Sequence, residues 1–89
     1  MPSPEHHEFR VEADAVADVL LRILGPFAVQ GAELAAVSHE RIGEDAWTVL
    51  EVAGLAPEQV ELLRLRLAQI PSVRNVVVRR RLGLVAASK

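Results

Sequence analysis

The residues best suited to acid-base or metal chemistry in this 89-residue sequence are its three histidines. His6 and His7 are adjacent, so their side chains diverge, and no third ligand is fixed near them in the sequence. His39 lies in a polar stretch, where a general base would need a nucleophile or a substrate within hydrogen-bond reach. No such partner is evident, so we expect a surface histidine at position 39 and no metal site.

The acidic residues fall at helix and strand spacings. Asp14 and Asp18 are four residues apart, as are Glu8 and Glu12. Such pairs are usually caps or solvated faces rather than a general acid and its base. We predict that Asp14 is the N-cap of the first helix.

Basic residues cluster only at Arg79-Arg80-Arg81, which could contact phosphate if the neighbouring surface were also basic. The chain has ten Lys and Arg against twelve Asp and Glu, a net charge of −2, so no overall positive field favours nucleic acid or an anionic membrane. It has no cysteine, which excludes disulfides, thiolate metal sites and a cysteine nucleophile. There is also no glycine-rich phosphate loop. We therefore predict a protein that is not an enzyme, needs no cofactor and binds no nucleic acid.

The composition is that of one small folded domain. Hydrophobic residues make up 51% of the chain and charged residues 25%, unlike a disordered sequence. No apolar run approaches the roughly 20 residues of a membrane span, and the amino terminus lacks the order of a signal peptide. We expect a cytoplasmic protein with no membrane association. Its domain should cover residues 8–82, between flexible tails at 1–7 and 83–89.

Hydrophobic periodicity predicts six elements. Apolar residues alternate from Glu8, as in a half-buried strand, and then recur at helical spacing from Val16 to Phe27. Two extended segments, Ala32 to Ile42 and Ala46 to Gly54, flank a polar turn and should form a hairpin. A second helix begins at Pro57, with a buried stripe of Val60, Leu63, Leu67 and Ile70, and a last strand spans Val73 to Leu82.

The order strand, helix, strand, strand, helix, strand predicts an α+β fold of the ferredoxin-like βαββαβ type. Such a sandwich has a four-stranded antiparallel sheet with two helices on one face. The first and third strands should be central, with the fourth beside the first. Glu8 and Glu12 could then meet Arg79 and Arg81 on the open face.

Some apolar residues in this plan are not needed for the core. Trp47, Val49 and Val77 should lie among charges on the open sheet face, and Leu62 and Leu65 form an additional line on the second helix. These five residues are candidate interface positions.

Several segments between Phe9 and Arg81 resemble the ACT domain, the amino-acid-sensing module of biosynthetic regulation, and particularly the regulatory small subunit of acetolactate synthase. The segments that carry the resemblance are Val19-Leu20-Leu21-Arg22-Ile23-Leu24-Gly25-Pro26-Phe27, Gln30-Gly31-Ala32-Glu33-Leu34, and Leu62 to Val78 with its ending Val73-Arg74-Asn75-Val76-Val77-Val78. Most of these positions are core residues, so the resemblance implies the fold more firmly than the function.

The resemblance implies that two copies pair through edge elements and that an amino-acid effector binds at their interface, near the turn between the first strand and first helix. Carried over to this sequence, the effector-binding positions are Ala15, Asp18, Glu33 and Leu34. Asp18 stands where the family often has a glycine, and Glu33 replaces an asparagine.

Two hypotheses follow from the sequence. In the first, the chain is a non-catalytic regulatory domain that forms a homodimer and modulates the catalytic subunit of an amino-acid biosynthetic enzyme, with a branched-chain amino acid as effector. In the alternative, it is an effector-free interaction or structural module with the same fold.

Overall fold

The computed structural model describes residues 5–82, with side chains for residues 6–80, and its fold is the predicted ferredoxin-like one. Its elements are β1 (Glu5–Asp14), α1 (Val19–Val29), β2 (Glu33–Ile42), β3 (Asp45–Ala53), α2 (Pro57–Ala68) and β4 (Val73–Leu82). The strands form one antiparallel sheet in the order β2-β3-β1-β4, so β1 and β3 are central as expected. The predicted tail at 83–89 lies outside the described residues, as do residues 1–4.

The first strand begins earlier than its alternating pattern indicated. β1 starts at Glu5, and His6 and His7 pair with Ala53 and Val52 of β3. These two histidines therefore belong to the sheet rather than to an amino-terminal tail. The apolar alternation starts only at Phe9, which is why the sequence placed the strand three residues late.

The core lies between the sheet and the two helices. Phe9 of β1 meets Phe27 of α1 edge to face, with ring centroids 5.0 Å apart and an interplanar angle of 89°. The fully enclosed apolar side chains come from β1, β3 and both helices: Phe9, Val11, Ala13, Val19, Ile23, Phe27, Ala46, Leu50, Val52, Leu63 and Leu67. Val60 joins this cluster, and Ile70 packs against it while partly buried. The predicted stripe of α2 is thus confirmed.

A proline begins α2, as predicted, and a glycine follows the end of α1. Pro57 is the first residue of α2, and the Gln59 side chain accepts a hydrogen bond of 2.9 Å from the Ala56 N–H. Gly31 follows α1 with a φ of 68°, a left-handed conformation that favours glycine. α1 runs without interruption through Pro26.

One end of the sheet is held by Arg74 of β4. Its guanidinium donates to the Ala13 carbonyl at 3.1 Å, contacts the Asp45 carboxylate, and lies 3.2 Å from that of Asp14. The hydrogen bond to Asp45 raises the pKa of Arg74, and the charge of Asp14 adds to this. Arg74 therefore ties β4 to the ends of β1 and β3, beside the turn that enters α1.

Cross-strand charges on the open face follow the prediction in part. Glu8 is opposite Arg79, but Glu12 is opposite Asn75 and lies 3.8 Å from Arg74 instead of meeting Arg81. The antiparallel register explains this arrangement: with Glu8 opposite Arg79, the position four residues further along β1 is opposite Asn75, and Arg81 is opposite His6. No helix among residues 5–82 is long and apolar enough to cross a membrane.

Candidate functional site

The turn between β1 and α1, residues 15–18, is the centre of the candidate site. It is anchored at its start, where Asp14 donates its N–H to the Ser72 carbonyl at 2.8 Å and Ala15 donates to the Glu44 carbonyl at 2.9 Å. These bonds attach the turn to the neighbouring β2–β3 and α2–β4 connections. The backbone then runs from Ala15 to Val19, the first residue of α1.

The prediction that Asp14 caps α1 is wrong. Asp14 is the last residue of β1, paired with Asp45, and its carboxylate faces Arg74. The N-cap is Asp18, so Val16 lies in the turn rather than in the helix. Both aspartates are plausible caps by type, and only the extra length of β1 decides between them.

Asp18 does not behave as an ordinary cap. Its side chain makes no capping hydrogen bond but accepts one of 2.7 Å from Nε of Arg22, one helical turn further on. This hydrogen bond holds the pKa of Asp18 below its usual range, so the carboxylate is ionised at neutral pH. Its backbone angles of −104° and 17° suit any L-residue, so the turn does not require the glycine common in the resembling family.

Several backbone N–H groups at the start of α1 have no hydrogen-bond acceptor within residues 5–82. These are the N–H groups of Ala17, Leu20 and Leu21. They lie at the positive end of the helix dipole, where a carboxylate binds favourably. Because Arg22 neutralises the Asp18 side chain, the local charge does not oppose such a ligand.

A cleft of about 350 Å³ opens beside the turn. It is lined by Val16, Asp18, Arg22, Pro71 and Ser72. Ser72 Oγ is buried there with no hydrogen-bond partner in the described part of the chain. The arrangement offers an apolar wall with one anionic and one cationic group, which suits a small zwitterion. Arg22 is the site residue that the sequence did not single out, and its spacing of four from Asp18 was the available signal.

The four carried-over effector positions do not meet within one chain. Ala15 and Asp18 lie at the end of the sheet where β1 finishes. Glu33 and Leu34 are opposite Ala53 and Val52, which pair in turn with the start of β1. His6 and Asp14 mark these two ends and are eight residues apart, or about 26 Å along an extended strand.

β2 is an edge strand with both faces largely open. Nearly all of its ten residues are exposed, including Leu34, Val37 and Ile42. The sequence predicted a hairpin partner for β3 but not this exposure, because its apolar residues look like core positions in the one-dimensional pattern.

The predicted interface residues occupy two other surfaces. Trp47 and Val77 are exposed on the open face of the sheet, with the half-buried Val49. On α2, Leu65 is exposed and Leu62 is half-buried.

The histidines are placed apart from the turn. His7 is buried, with an Nδ1 that has no hydrogen-bond partner in the described region, and His6 is half-buried. His39 is partly buried rather than a plain surface residue: its Nδ1 and the Thr48 Oγ1 share a hydrogen bond of 2.8 Å. No group of three metal-ligating side chains occurs among the described residues.

Comparison with known proteins gives similarity of structure without similarity of sequence. No family model matches the chain. No curated protein matches it either. Solved ACT-domain structures, however, share its fold.

The ACT domain of GTP pyrophosphokinase from Chlorobium tepidum superposes with a TM-score of 0.75 at 11% identity, over 83% of this chain and 96% of that one. The C-terminal domain of the MgtC protein from Mycobacterium tuberculosis gives 0.74 at 17% identity, over 92% and 93%. The regulatory subunit of aspartate kinase from Thermus thermophilus gives 0.65 at 16% identity, over 85% of this chain but 51% of that one. None of these three is a subunit of acetolactate synthase.

Proposed function

We propose that this chain is a non-catalytic ACT-like regulatory domain that pairs with a second copy through β2 and binds a small amino acid at the β1–α1 turn. Its target would be an amino-acid biosynthetic enzyme, with acetolactate synthase and a branched-chain effector as the specific candidates. The fold shared with the ACT domain of a GTP pyrophosphokinase and with the regulatory subunit of an aspartate kinase supports the general role.

The observation that carries the proposal is the open outer edge of β2. A ten-residue strand with an unpaired edge is a template for another strand. β4, the other edge of the sheet, presents Arg79 and Arg80, which disfavour such pairing. A second copy is the occupant that best fits, because pairing would bring the exposed apolar residues Leu34 and Val37 of both copies to one seam.

Pairing of two β2 strands would also assemble the effector site. The positions of β2 that pair with β3 run from Glu33 to Ile42, bypass Ala35, and are centred on Ser38. With Ser38 on the two-fold axis, Leu34 of the second copy lies opposite Arg41, and Glu33 of that copy lies opposite Ile42. Both then lie at the end of the sheet that carries Ala15 and Asp18.

The chemistry of this composite site fits an aliphatic amino acid. The ligand carboxylate would accept hydrogen bonds from the unpaired N–H groups at the start of α1, and Arg22 would offset the charge of Asp18 that otherwise repels it. Val16 of one copy and Leu34 of the other would provide apolar contact for the ligand side chain. A ligand that binds the paired form more tightly than the separate form shifts the population, and the partner enzyme would respond to that shift.

The test is an amide-resolved NMR titration with valine, leucine and isoleucine, on a sample shown to be folded and dimeric by sedimentation. We expect saturable shifts confined to residues 15–21 and 33–34. Arg22→Gln should weaken binding, while Arg66→Gln, an exposed arginine on α2, should leave it unchanged. No shift at millimolar ligand in a proven dimer would reject the effector role.

The specific enzyme is tested separately. Addition of the chain to a purified catalytic subunit of acetolactate synthase should change its activity or its response to valine. Unchanged kinetics would reject this enzyme and leave the general role in place.

The effector-free module remains the second candidate, because Trp47 and Val77 form exposed apolar surface on the open sheet face. It predicts that Trp47→Ala impairs assembly while the amino-acid titration stays flat.

A further inference from the structure

Arg41 lies where the open edge and the effector turn meet. It is the penultimate residue of β2 and pairs with the buried Ala46, so its side chain is on the helix side of the sheet. From there Nη2 donates to the Ala15 carbonyl at 2.8 Å, and Nη1 donates to the Val16 carbonyl at 3.3 Å. One side chain of the edge strand thus holds two successive carbonyls of the turn.

The two contacts act where the turn enters α1. The Val16 carbonyl also accepts a hydrogen bond of 3.2 Å from the Val19 N–H, and the Val16 N–H donates to the Asp14 carbonyl at 2.8 Å, whereas Arg41 is the side chain that reaches this segment from β2. Ala15 is anchored through its N–H to Glu44, but the Ala17 N–H has no acceptor in residues 5–82. The Val16 carbonyl that Arg41 holds belongs to the same peptide unit as the Ala17 N–H. Arg41, together with the Val19 N–H, therefore sets the direction of this candidate carboxylate donor.

The position of Arg41 depends in turn on the strand edge. Arg41 is exposed, and an arginine has five N–H donors in a rigid fork, of which the turn uses two. In the paired arrangement, Leu34 of the second copy lies opposite Arg41 and would restrict its aliphatic stem. Ordering of the side chain by the second copy would then order the turn.

We propose that Arg41 is a positioning residue that couples pairing of β2 to the conformation of the β1–α1 turn. The proposal rests on the dimer of the proposed function and adds the route by which the dimer interface controls the effector turn. Coupling between sites is reciprocal, so a ligand that orders the turn would strengthen pairing by the same factor.

A single engineered cysteine separates the two questions. The chain has no cysteine, so Ser38→Cys on the proposed axis gives one unique thiol. Mild oxidation of the folded variant should yield a disulfide-linked dimer, whereas Ala28→Cys, on the exposed surface of α1, should not. The reduced and oxidised forms are then compared by NMR amide hydrogen exchange at Ala17 and Asp18.

We expect the disulfide to slow exchange of these two amides by about 5-fold or more, the lower end of ordinary coupling energies. In S38C/R41M, which keeps an unbranched stem but removes the donors, the slowing should disappear. S38C/E40Q, altered at a neighbouring exposed residue on the other face, should behave like S38C. S38C/R41K tests the coupling if the methionine variant does not fold: lysine has no planar fork, so it should retain only part of the slowing.

The outcomes distinguish the two proposals. A cross-linked S38C/R41M or S38C/R41K dimer with the full slowing overturns the role of Arg41 and leaves the dimer standing. An S38C dimer whose turn exchanges as fast as in the reduced chain overturns the coupling itself. Failure of folded S38C to cross-link removes the β2 dimer, and the coupling falls with it.

Discussion

Replacement of Val37 tests the β2 interface most directly. Val37 lies near the middle of β2 and is 42% exposed in the single chain. Full burial of a valine side chain contributes about 1.5–3 kcal/mol, so covering the exposed 42% contributes about 0.6–1.3 kcal/mol in each copy. Two copies give about 1.3–2.5 kcal/mol, or about a 10- to 70-fold change in the dimer dissociation constant.

Val37→Thr keeps the branched shape and the strand preference but replaces a methyl group by a hydroxyl group. Val77→Thr is the matched control, because Val77 is also 42% exposed but lies on the open face of β4. Sedimentation equilibrium of the wild type and both variants measures the dissociation constants. Urea denaturation checks that the folded monomers are equally stable.

We expect Val37→Thr, which keeps one of the two methyl groups, to weaken the dimer by up to the calculated factor and Val77→Thr to leave it unchanged. The reverse result would refute the reasoning and place the interface on the open face, with Trp47 and Val49. Equal weakening by both variants would show that association is not specific to β2.

Three further predictions concern the core and the turn. Phe27→Ala should lower the unfolding free energy by about 3–5 kcal/mol in urea denaturation, because it empties a fully buried site against Phe9, whereas Phe27→Leu should cost less than about 2 kcal/mol. A smaller loss for Phe27→Ala would mean that α1 collapses onto the sheet. Gly31→Ala should lower the unfolding free energy by about 1–2 kcal/mol, because the φ of 68° at this position is unfavourable for alanine. The added Cβ would meet no atom within 4 Å, so the loss would come from the backbone alone, and an unchanged urea midpoint would contradict this. Arg22→Gln should raise the Asp18 pKa back towards its ordinary 3.8 in a carboxyl NMR titration. Because the pKa of Asp18 is lowered in the folded state, the stabilisation from the Asp18–Arg22 pair is present above about pH 4 and is lost as Asp18 is protonated at lower pH. An unchanged Asp18 pKa in the variant would exclude Arg22 as the cause of the lowered pKa.

The fold was predictable because the residues that define it act locally. Single elements are specified by short patterns. The alternation from Phe9 to Ala13 specifies β1, and the stripe of Val60, Leu63 and Leu67 specifies α2. Pro57 marks the start of α2, and Gly31 follows the end of α1. The order of these elements then leaves few topologies.

The candidate site was less predictable because its contacts join residues far apart in sequence. Arg41 reaches the carbonyls of Ala15 and Val16, and Arg74 reaches Asp14, across sheet pairings that no local pattern encodes. The start of α1 was misplaced for the same reason. Which of Asp14 and Asp18 is the N-cap depends on where β1 ends, and the pairing of β1 with β3 sets that end. The exposure of β2 depends on its position as an outer strand of the sheet. The sequence around Val37 does not show whether this strand is central or outer.

The difference between the two outer strands bears on the kind of assembly that the proposed pairing would build. Among residues 5–82, both β2 and β4 have an open outer edge, and β4 carries Arg79 and Arg80. In the proposed dimer, β2 pairs with an identical β2 while the arginines keep β4 unpaired, which yields a closed pair. Head-to-tail growth needs two complementary edges, so removal of the β4 arginines is the change that would convert a self-limiting particle into a fibre-forming one.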